Sequence, residues 1–150
     1  MPQSFHSIPI HLIWSTKNRI PLIIPEIEDE LFKYIASIFH NQDSPSLVIN
    51  GSRDHLHVIL SLSRTITIAK LIEEVKRSSS KWIKSKGAKF EKFYWQTGYA
   101  ALGVGHYNIE NLKTYIRNQK EHHRRKTFKE EYIEFLEKYS INYDERYIWD

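Results

Sequence analysis

The sequence predicts an α+β fold of the ferredoxin-like (RRM-like) class, with additional C-terminal helices. Two observations predict it. Segments with the apolar patterns of strands and helices follow one another in the order β-α-β-β-α-β, and two more helical segments come after them. The 150 residues include 41% hydrophobic residues, which suffices for one hydrophobic core, so we expect a single domain over residues 1–150.

The first strand and the first helix are predicted from the N-terminal third of the chain. Residues 6–14 (HSIPIHLIW) are rich in isoleucine and aromatic residues, which are typical of a strand. A loop at residues 16–25 follows, and Pro25 suits the first turn of a helix that continues to about His40. Apolar residues at helical spacing give this helix a buried stripe. They are Leu31, Ile35 and Ile38.

A β-hairpin and a second helix are predicted next. Residues 47–49 and 54–62 have the composition of strands, and the Asn-Gly pair at 50–51 is typical of the turn of a hairpin. Residues 67–86 place their apolar side chains on one side of a helix, and Gly87 ends it.

The last predicted elements are one strand and two helices. Residues 93–104 form an aromatic-rich strand. Asn108 is of a residue type that caps helices, and the helix after it is expected to continue to about Arg125. A final helix covers residues 128–139, and an aromatic tail follows at 141–150.

The composition excludes several classes of function. The chain has no cysteine, so disulfides, thiolate metal sites and a cysteine nucleophile are excluded. No window approaches the roughly 18 uninterrupted apolar residues of a membrane helix, and the N-terminal segment lacks the pattern of a secretory signal. We therefore expect a cytoplasmic protein with no membrane partner.

Charge is distributed unevenly along the C-terminal third. The formal net charge is +4, but residues 111–126 contain six Lys or Arg against one acidic residue. Residues 128–150 contain three Lys or Arg against seven Asp or Glu. The basic segment is suited to contact phosphate, whereas the acidic segment is expected to pack on the protein or to screen it.

The first chemical motif is a pair of histidines on the third predicted strand. His55 and His57 are two residues apart, so both side chains point to the same face of the sheet. Two imidazoles on one face can share a divalent cation. The alternative is that they are two surface histidines on the open face of a sheet.

The second motif lies on the helix after the last strand. Tyr115 and Gln119 are separated by four residues, so a continuous helix would place them on one face. Tyrosine needs activation to act as a nucleophile, and a nearby cation can favour attack by the phenolate on a phosphodiester. Gln119 can supply a neutral oxygen ligand. Because no ligand of this set is a carboxylate, we expect the site to add no negative charge that would repel DNA.

Together these motifs resemble those of a known enzyme family. His55-Leu56-His57 is similar to the His-hydrophobic-His motif of HUH endonucleases, and the segment from Tyr115 to Gln119 is similar to the YxxxQ motif of the single-tyrosine transposases of bacterial insertion sequences and their REP-associated relatives. The resemblance runs nearly from end to end. Its other segments are HLIWSTKNRIPLI near the start, SSSKWI at 78–83, FYWQTGYAALGV at 93–104, NQKEHHRRKTFKEEY at 118–132 and YDERYIW at 143–149.

The resemblance implies a reaction and the residues that perform it. His55, His57 and Gln119 would bind one Mg²⁺ or Mn²⁺, and Tyr115 would attack a phosphodiester of single-stranded DNA. The products would be a 5′-phosphotyrosine and a free 3′-hydroxyl, and the step would be reversible on a new strand. Family members are homodimers, in which the tyrosine helix can complete the site of the partner subunit, and they recognise imperfect DNA hairpins at the ends of their elements.

Several basic residues are predicted to contact DNA. Lys17 and Arg19 lie in the first loop. The others are Lys113, Arg117, Lys120, Arg124 and Arg125, on the basic helix. The alternative is a solvated helix end whose cations favour the negative end of the helix dipole. For the neighbouring His122 and His123 we expect polar or DNA-contacting roles, because adjacent helical residues diverge by about 100°.

Two other functions remain open at the level of sequence. The first is a non-catalytic ferredoxin-like module that binds RNA or DNA hairpins, which typically carries aromatic residues on its central strands. The second is a metal-dependent phosphodiesterase that uses water as its nucleophile, which would turn over without a tyrosine adduct.

Overall fold

A computed structural model describes residues 2–150 and shows an α+β fold with a four-stranded antiparallel sheet in the order β2-β3-β1-β4. This order and the predicted β-α-β-β-α-β succession agree, so the predicted fold class is confirmed. The strands are β1 (Pro9–Ser15), β2 (Ser46–Gly51), β3 (His55–Ser61) and β4 (Ala100–Gly103). The helices are α1 (Pro25–Asn41), α2 (Ile68–Lys84), α3 (Ile109–Arg117), α4 (Gln119–His122) and α5 (Phe128–Lys138). Short 3₁₀ turns occur at Lys17–Arg19, Ala88–Phe90 and His106–Asn108.

The two central strands are buried on both faces. Every residue of β1 is buried, and β3 is buried except at its last residue. One face of each strand, including Leu12, Trp14 and Val58, packs against α1 and α2 in the larger core. Helices on this face are what a ferredoxin-like fold requires.

The C-terminal helix α5 covers the opposite face of the sheet. It contributes Phe128, Tyr132 and Leu136 to a second core, which also contains Ile13 from β1. Aromatic residues of the tail, including Trp149, pack against this core. The acidic C-terminal segment therefore packs on the protein, as the sequence suggested, and the face that carries His55 and His57 is not open.

The fourth strand is much shorter than predicted. Only Ala100–Gly103 pairs with β1, and residues 93–99 are irregular. Phe93 and Trp95 direct their rings into the larger core, and Trp95 forms only an isolated bridge with Thr16. The aromatic residues that suggested a strand here instead anchor a loop.

The predicted helix from Asn108 to Arg125 is broken at Asn118. This residue has φ −94° and ψ 18°, outside the helical region, so α3 ends at Arg117 and α4 is a separate short turn. The Asn50 side-chain amide donates to the carbonyl oxygens of Ile116 and Arg117, at 3.0 Å each. These carbonyls would otherwise accept from the next helical turn, so Asn50 ends α3 by capping it. Asn108 does precede α3, but its side chain makes no capping hydrogen bond.

The turn between β2 and β3 requires glycine at position 51. A Cβ atom on Gly51 would lie 2.1 Å from the carbonyl oxygen of His55, closer than atoms can approach. Because glycine has no side chain, β2 and β3 can approach each other next to His55, the first residue of the histidine motif.

Across residues 2–150, no helix has the length and apolarity needed to cross a bilayer.

The loop that replaces the predicted strand is held by Lys76 of α2. Its ammonium donates to the carbonyl oxygens of Gln96, Thr97 and Gly98, at 2.9, 3.2 and 2.7 Å. We expect Lys76→Met to lower the free energy of unfolding by about 1–2 kcal/mol, because three carbonyls lose a charged donor. Urea unfolding followed by tryptophan fluorescence measures this change. Lys81→Met, at an exposed position of the same helix, is the control and should be nearly neutral. Equal stability of both variants would contradict this role of Lys76.

Candidate active site

The two histidines of the motif point to the face covered by α5, where both are fully buried. In the β1–β3 register, His55 lies opposite Ser15 and His57 lies opposite Ile13. Strand alternation places Leu56 on the other face, in the larger core. The alternative of two solvent-exposed surface histidines is therefore wrong.

Tyr115 and Gln119 reach the same place from α3 and α4. Gln119 is fully buried, with Oε1 3.0 Å from Nε2 of His55. The hydroxyl of Tyr115 donates to the carboxylate of Glu131, and the Gln119 amide donates to the same carboxylate at 3.2 Å. The helix break at Asn118 thus does not separate the two side chains, because both approach Glu131.

Glu131 was missed by sequence reasoning and is the centre of the site. Its Oε1 lies 2.8 Å from Nε2 of His57 and 3.8 Å from Nε2 of His55. The expectation that the site lacks a carboxylate is therefore wrong. The available signal was its position on α5: Glu131 stands next to Tyr132 on the stripe that begins at Phe128, where a solvated glutamate is not expected.

The carboxylate of Glu131 is held in its ionised form. Burial alone would raise its pKa, but the nearby His123 and the hydrogen bonds from His57 and Tyr115 lower the pKa of Glu131 well below its usual range. A buried charge of this kind persists only when it is well partnered.

Tyr115 is held in its protonated form. Burial raises the pKa of its hydroxyl far above the usual range, and its hydrogen bond to the anionic Glu131 raises it further. The ring also stacks on His122, with a centroid distance of 4.4 Å. In this geometry the phenol is oriented and its hydroxyl is hydrogen-bonded to a proton acceptor.

The two histidines have different neighbours behind them. Nδ1 of His55 donates to the carboxylate of Asp54 at 2.7 Å, which orients the ring so that Nε2 faces the site, 3.0 Å from Oε1 of Gln119. Nδ1 of His57 instead lies 2.8 Å from Nε2 of His11, a buried residue of β1 to which the sequence gave no role. Burial lowers the pKa of His57, and the hydrogen bond to Glu131 only partly offsets this effect.

His123 also belongs to the site rather than to the surface. Its Nε2 lies 3.1 Å from Oε1 of Gln119 and 3.7 Å from the carboxylate of Glu131. Its ring centroid is 4.1 Å from that of His55. Of the two roles expected for His123, polar or DNA-contacting, this position fits the polar one.

The residues present fit a divalent cation. His55, His57 and Glu131 each offer one ligand atom, and these atoms lie within 4.8 Å of one another. Imidazole nitrogen together with carboxylate and amide oxygen is a donor set that first-row divalent ions accept. Such an ion would replace the hydrogen bonds that His55 and His57 now make with Gln119 and Glu131.

A cleft adjoins the tyrosine. Its volume is about 700 Å³, and it lies between α3, the C-terminal end of α5 and the turn after β4. Tyr115 forms part of its wall, together with Asn108, Asn111, Phe135 and Tyr139. The cleft is the opening through which a ligand can approach Tyr115.

The basic residues predicted to contact DNA differ in their surroundings. Lys17, Arg117 and Arg125 are exposed. Arg19 donates to the carbonyl of Trp149 at 2.9 Å and stacks on its ring, so it anchors the tail. The remaining three pair with acidic side chains. They are Lys113 with Glu110, Lys120 with Glu28, and Arg124 with Glu121.

Comparison with known proteins gives a family and a fold. Residues 4–119 match the family model described as Transposase IS200 like. A Deinococcus radiodurans R1 protein assigned as a transposase superposes with a TM-score of 0.62 at 22% identity, over 79% of this chain and 98% of that one. A REP-associated tyrosine transposase bound to a REP hairpin superposes with a TM-score of 0.61 at 12% identity, over 82% and 73%. No curated protein sequence gives a significant match.

The geometry makes a direct prediction about the phenol. We expect Glu131→Gln to lower the pKa of Tyr115, because the substitution removes the negative charge that its hydroxyl faces. Burial should still keep it above the usual value of 10.0. NMR titration of protein labelled with ¹³C at tyrosine Cζ measures this pKa, and Tyr115→Phe assigns the signal.

Tyr132 is the internal control for this titration. Burial raises the pKa of Tyr132 to about 12, and that value should not change in the variant. An unchanged Tyr115 pKa in Glu131→Gln protein whose Tyr132 is also unchanged would contradict the contact.

Proposed function

The chain belongs to the IS200-like transposase family, and from that premise we propose that it cuts and rejoins single-stranded DNA through a covalent bond to Tyr115. One observation carries the proposal. The tyrosine hydroxyl and the potential metal ligands meet at a single buried carboxylate, that of Glu131. A nucleophile and a cation site that share one group can act on the same phosphodiester.

The chain's own groups account for the proton and the bonds in the first step. Oη of Tyr115 attacks phosphorus, the bond from phosphorus to O3′ breaks, and a 5′-phosphotyrosine and a 3′-hydroxyl result. The phenol proton passes to Oε2 of Glu131, which already accepts the hydrogen bond from Oη, and then through water to O3′, which leaves on the opposite side of phosphorus. The phosphodiester bond energy is retained in the adduct, so the reverse step on a second 3′-hydroxyl rejoins DNA.

The residues that would hold Mg²⁺ or Mn²⁺ are His55, His57 and Gln119, joined by Glu131. When bound, the cation withdraws charge from the phosphodiester and stabilises the transition state. One carboxylate leaves a net charge of +1 on a divalent site whose other ligands are neutral. The site still attracts phosphate, although the sequence did not anticipate this ligand.

The cleft beside Tyr115 supports a single strand as the substrate. The nucleotides next to the scissile phosphate need room near Oη, and the cleft offers rings and side-chain amides suited to unpaired bases. The exposed Lys17, Arg117 and Arg125 are free to meet phosphates around the site. We propose weaker DNA contacts for Lys113, Lys120 and Arg124, because each must exchange an acidic partner for phosphate. We propose no DNA contact for Arg19, which anchors the tail.

We further propose that the substrate carries DNA hairpins at the ends of a mobile element and that the protein acts as a homodimer of single-domain subunits. One superposed relative is bound to a REP hairpin, which supports the first point. For the second, β4 is an edge strand of the sheet, paired with β1 on one side, and an open edge can pair with another copy.

The position of the histidines argues against a hairpin-binding module without catalysis. Such modules stack bases on aromatic residues of an exposed sheet face. Here α5 covers the face of β1 and β3 that carries His55 and His57, and α1 and α2 cover the other.

Incubation with Mg²⁺ and an oligonucleotide carrying a hairpin from the DNA flanking the gene tests the proposal. We expect a covalent protein–DNA adduct, resolved by denaturing electrophoresis, that requires the metal. Tyr115→Phe should abolish the adduct and lower cleavage by at least about 10³-fold, because the attacking oxygen is lost.

Tyr107→Phe is the matched control, since Tyr107 is 98% exposed and lies near the same cleft at the start of α3. It should form the adduct at the wild-type rate. Cleavage that persists in Tyr115→Phe would instead support a hydrolase that uses water, and hairpin binding without metal dependence or adduct would support a binding module.

A further inference from the structure

We propose that His11 is a positioning residue that keeps Nε2 of His57 available to a divalent cation by accepting a hydrogen bond from Nδ1 of the same ring. The inference rests on the metal site of the proposed function. It assigns a role to a residue of β1 that lies outside both sequence motifs.

His11 is built into the site. It sits on β1 opposite Ile59, on the same face as His55 and His57, and it is fully buried. Its Nε2 lies 2.8 Å from Nδ1 of His57, and the two rings are stacked with a centroid distance of 5.0 Å. Phe135 of α5 packs edge-on against the ring of His11.

Packing alone does not explain a histidine at this position. Nδ1 of His11 is buried and has no hydrogen-bond partner within residues 2–150. An unpartnered buried polar atom is unfavourable, and an apolar residue would fill the space between Ile59 and Phe135 without that cost. The contact with His57 is the one interaction that requires the imidazole.

The two motif histidines differ in where the ring proton must lie for Nε2 to bind a cation. Asp54 accepts from Nδ1 of His55, so a cation can take the lone pair of Nε2 on that ring while the Nδ1 proton stays in place. Nε2 of His57 lies 2.8 Å from the Glu131 carboxylate, an acceptor, so in this arrangement its proton is on Nε2. To offer a lone pair at Nε2, His57 must carry its proton on Nδ1 instead.

A neutral imidazole suits both states of His57. With the His57 proton on Nε2, the Nε2–H of His11 donates to Nδ1 of His57. With the His57 proton on Nδ1, the bare Nε2 of His11 accepts from it, and the His11 proton is on its own Nδ1. Each ring keeps one proton and stays neutral in both arrangements. A carboxylate in place of His11 could accept only, as Asp54 does beside His55.

Binding of Mn²⁺ alone, followed by electron paramagnetic resonance, tests the inference without DNA or turnover. His11→Phe, which removes the hydrogen bond, should weaken Mn²⁺ binding by about 10-fold to 100-fold. His11→Gln, which can still donate or accept, should stay within about 3-fold of wild type. His40→Phe, at an exposed histidine of α1, is the control and should bind as wild type does.

A second readout reports the proton positions directly. Long-range ¹H–¹⁵N correlation of wild-type protein should show the His57 proton moving from Nε2 to Nδ1 when Mg²⁺ is added. Because this measurement uses the wild-type protein, it is informative even if His11→Phe does not fold. Wild-type Mn²⁺ affinity in folded His11→Phe, or a His57 proton that stays on Nε2 at saturating Mg²⁺, would overturn the inference.

The His57→Ala variant distinguishes an error in the role of His11 from an error in the metal site itself. If His57→Ala binds Mn²⁺ as tightly as wild type, or if the wild type binds none, the proposed site is wrong and the role of His11 falls with it. If His57→Ala loses binding but His11→Phe does not, only the role of His11 is wrong.

Discussion

The buried carboxylate of Glu131 is the constraint on which the arrangement of the site depends. It has little access to water, and a charge in that position is tolerated only when donors surround it. Its donors come from three separate parts of the chain. They are His57 on β3, Tyr115 on α3 and Gln119 on α4. Satisfying one charge therefore brings α5 over the sheet and draws the tyrosine toward the histidines.

The same carboxylate links structure to reactivity. Together with burial, it keeps the Tyr115 phenol protonated, and it is the proton acceptor that contacts that phenol. The family match ends at Gln119, so it contains the histidine pair, the tyrosine and the glutamine but not Glu131. In this chain the C-terminal helix completes a site whose other members lie within the matched region.

Most of the fold could be predicted from the sequence, because the periodicity of apolar residues reflects local burial. The failures have physical causes that act over long distances. Phe93 and Trp95 have strand propensity but pack into the larger core, and Asn50, far away in sequence, ends α3 through its side chain. In the site, the spacing of the two histidines and of Tyr115 and Gln119 was informative. Glu131 and His11 were not found, because only the packing of α5 and β1 shows that they are buried together.

We propose that both histidines and Glu131 form one cation site within reach of Tyr115. The most direct measurement is an anomalous difference map from crystals of the protein grown with Mn²⁺ and recorded at the manganese absorption edge. We expect one strong peak between Nε2 of His55, Nε2 of His57 and a carboxylate oxygen of Glu131. A peak elsewhere, or ordered histidines still bonded to Glu131 with no peak at a saturating Mn²⁺ concentration, would contradict it.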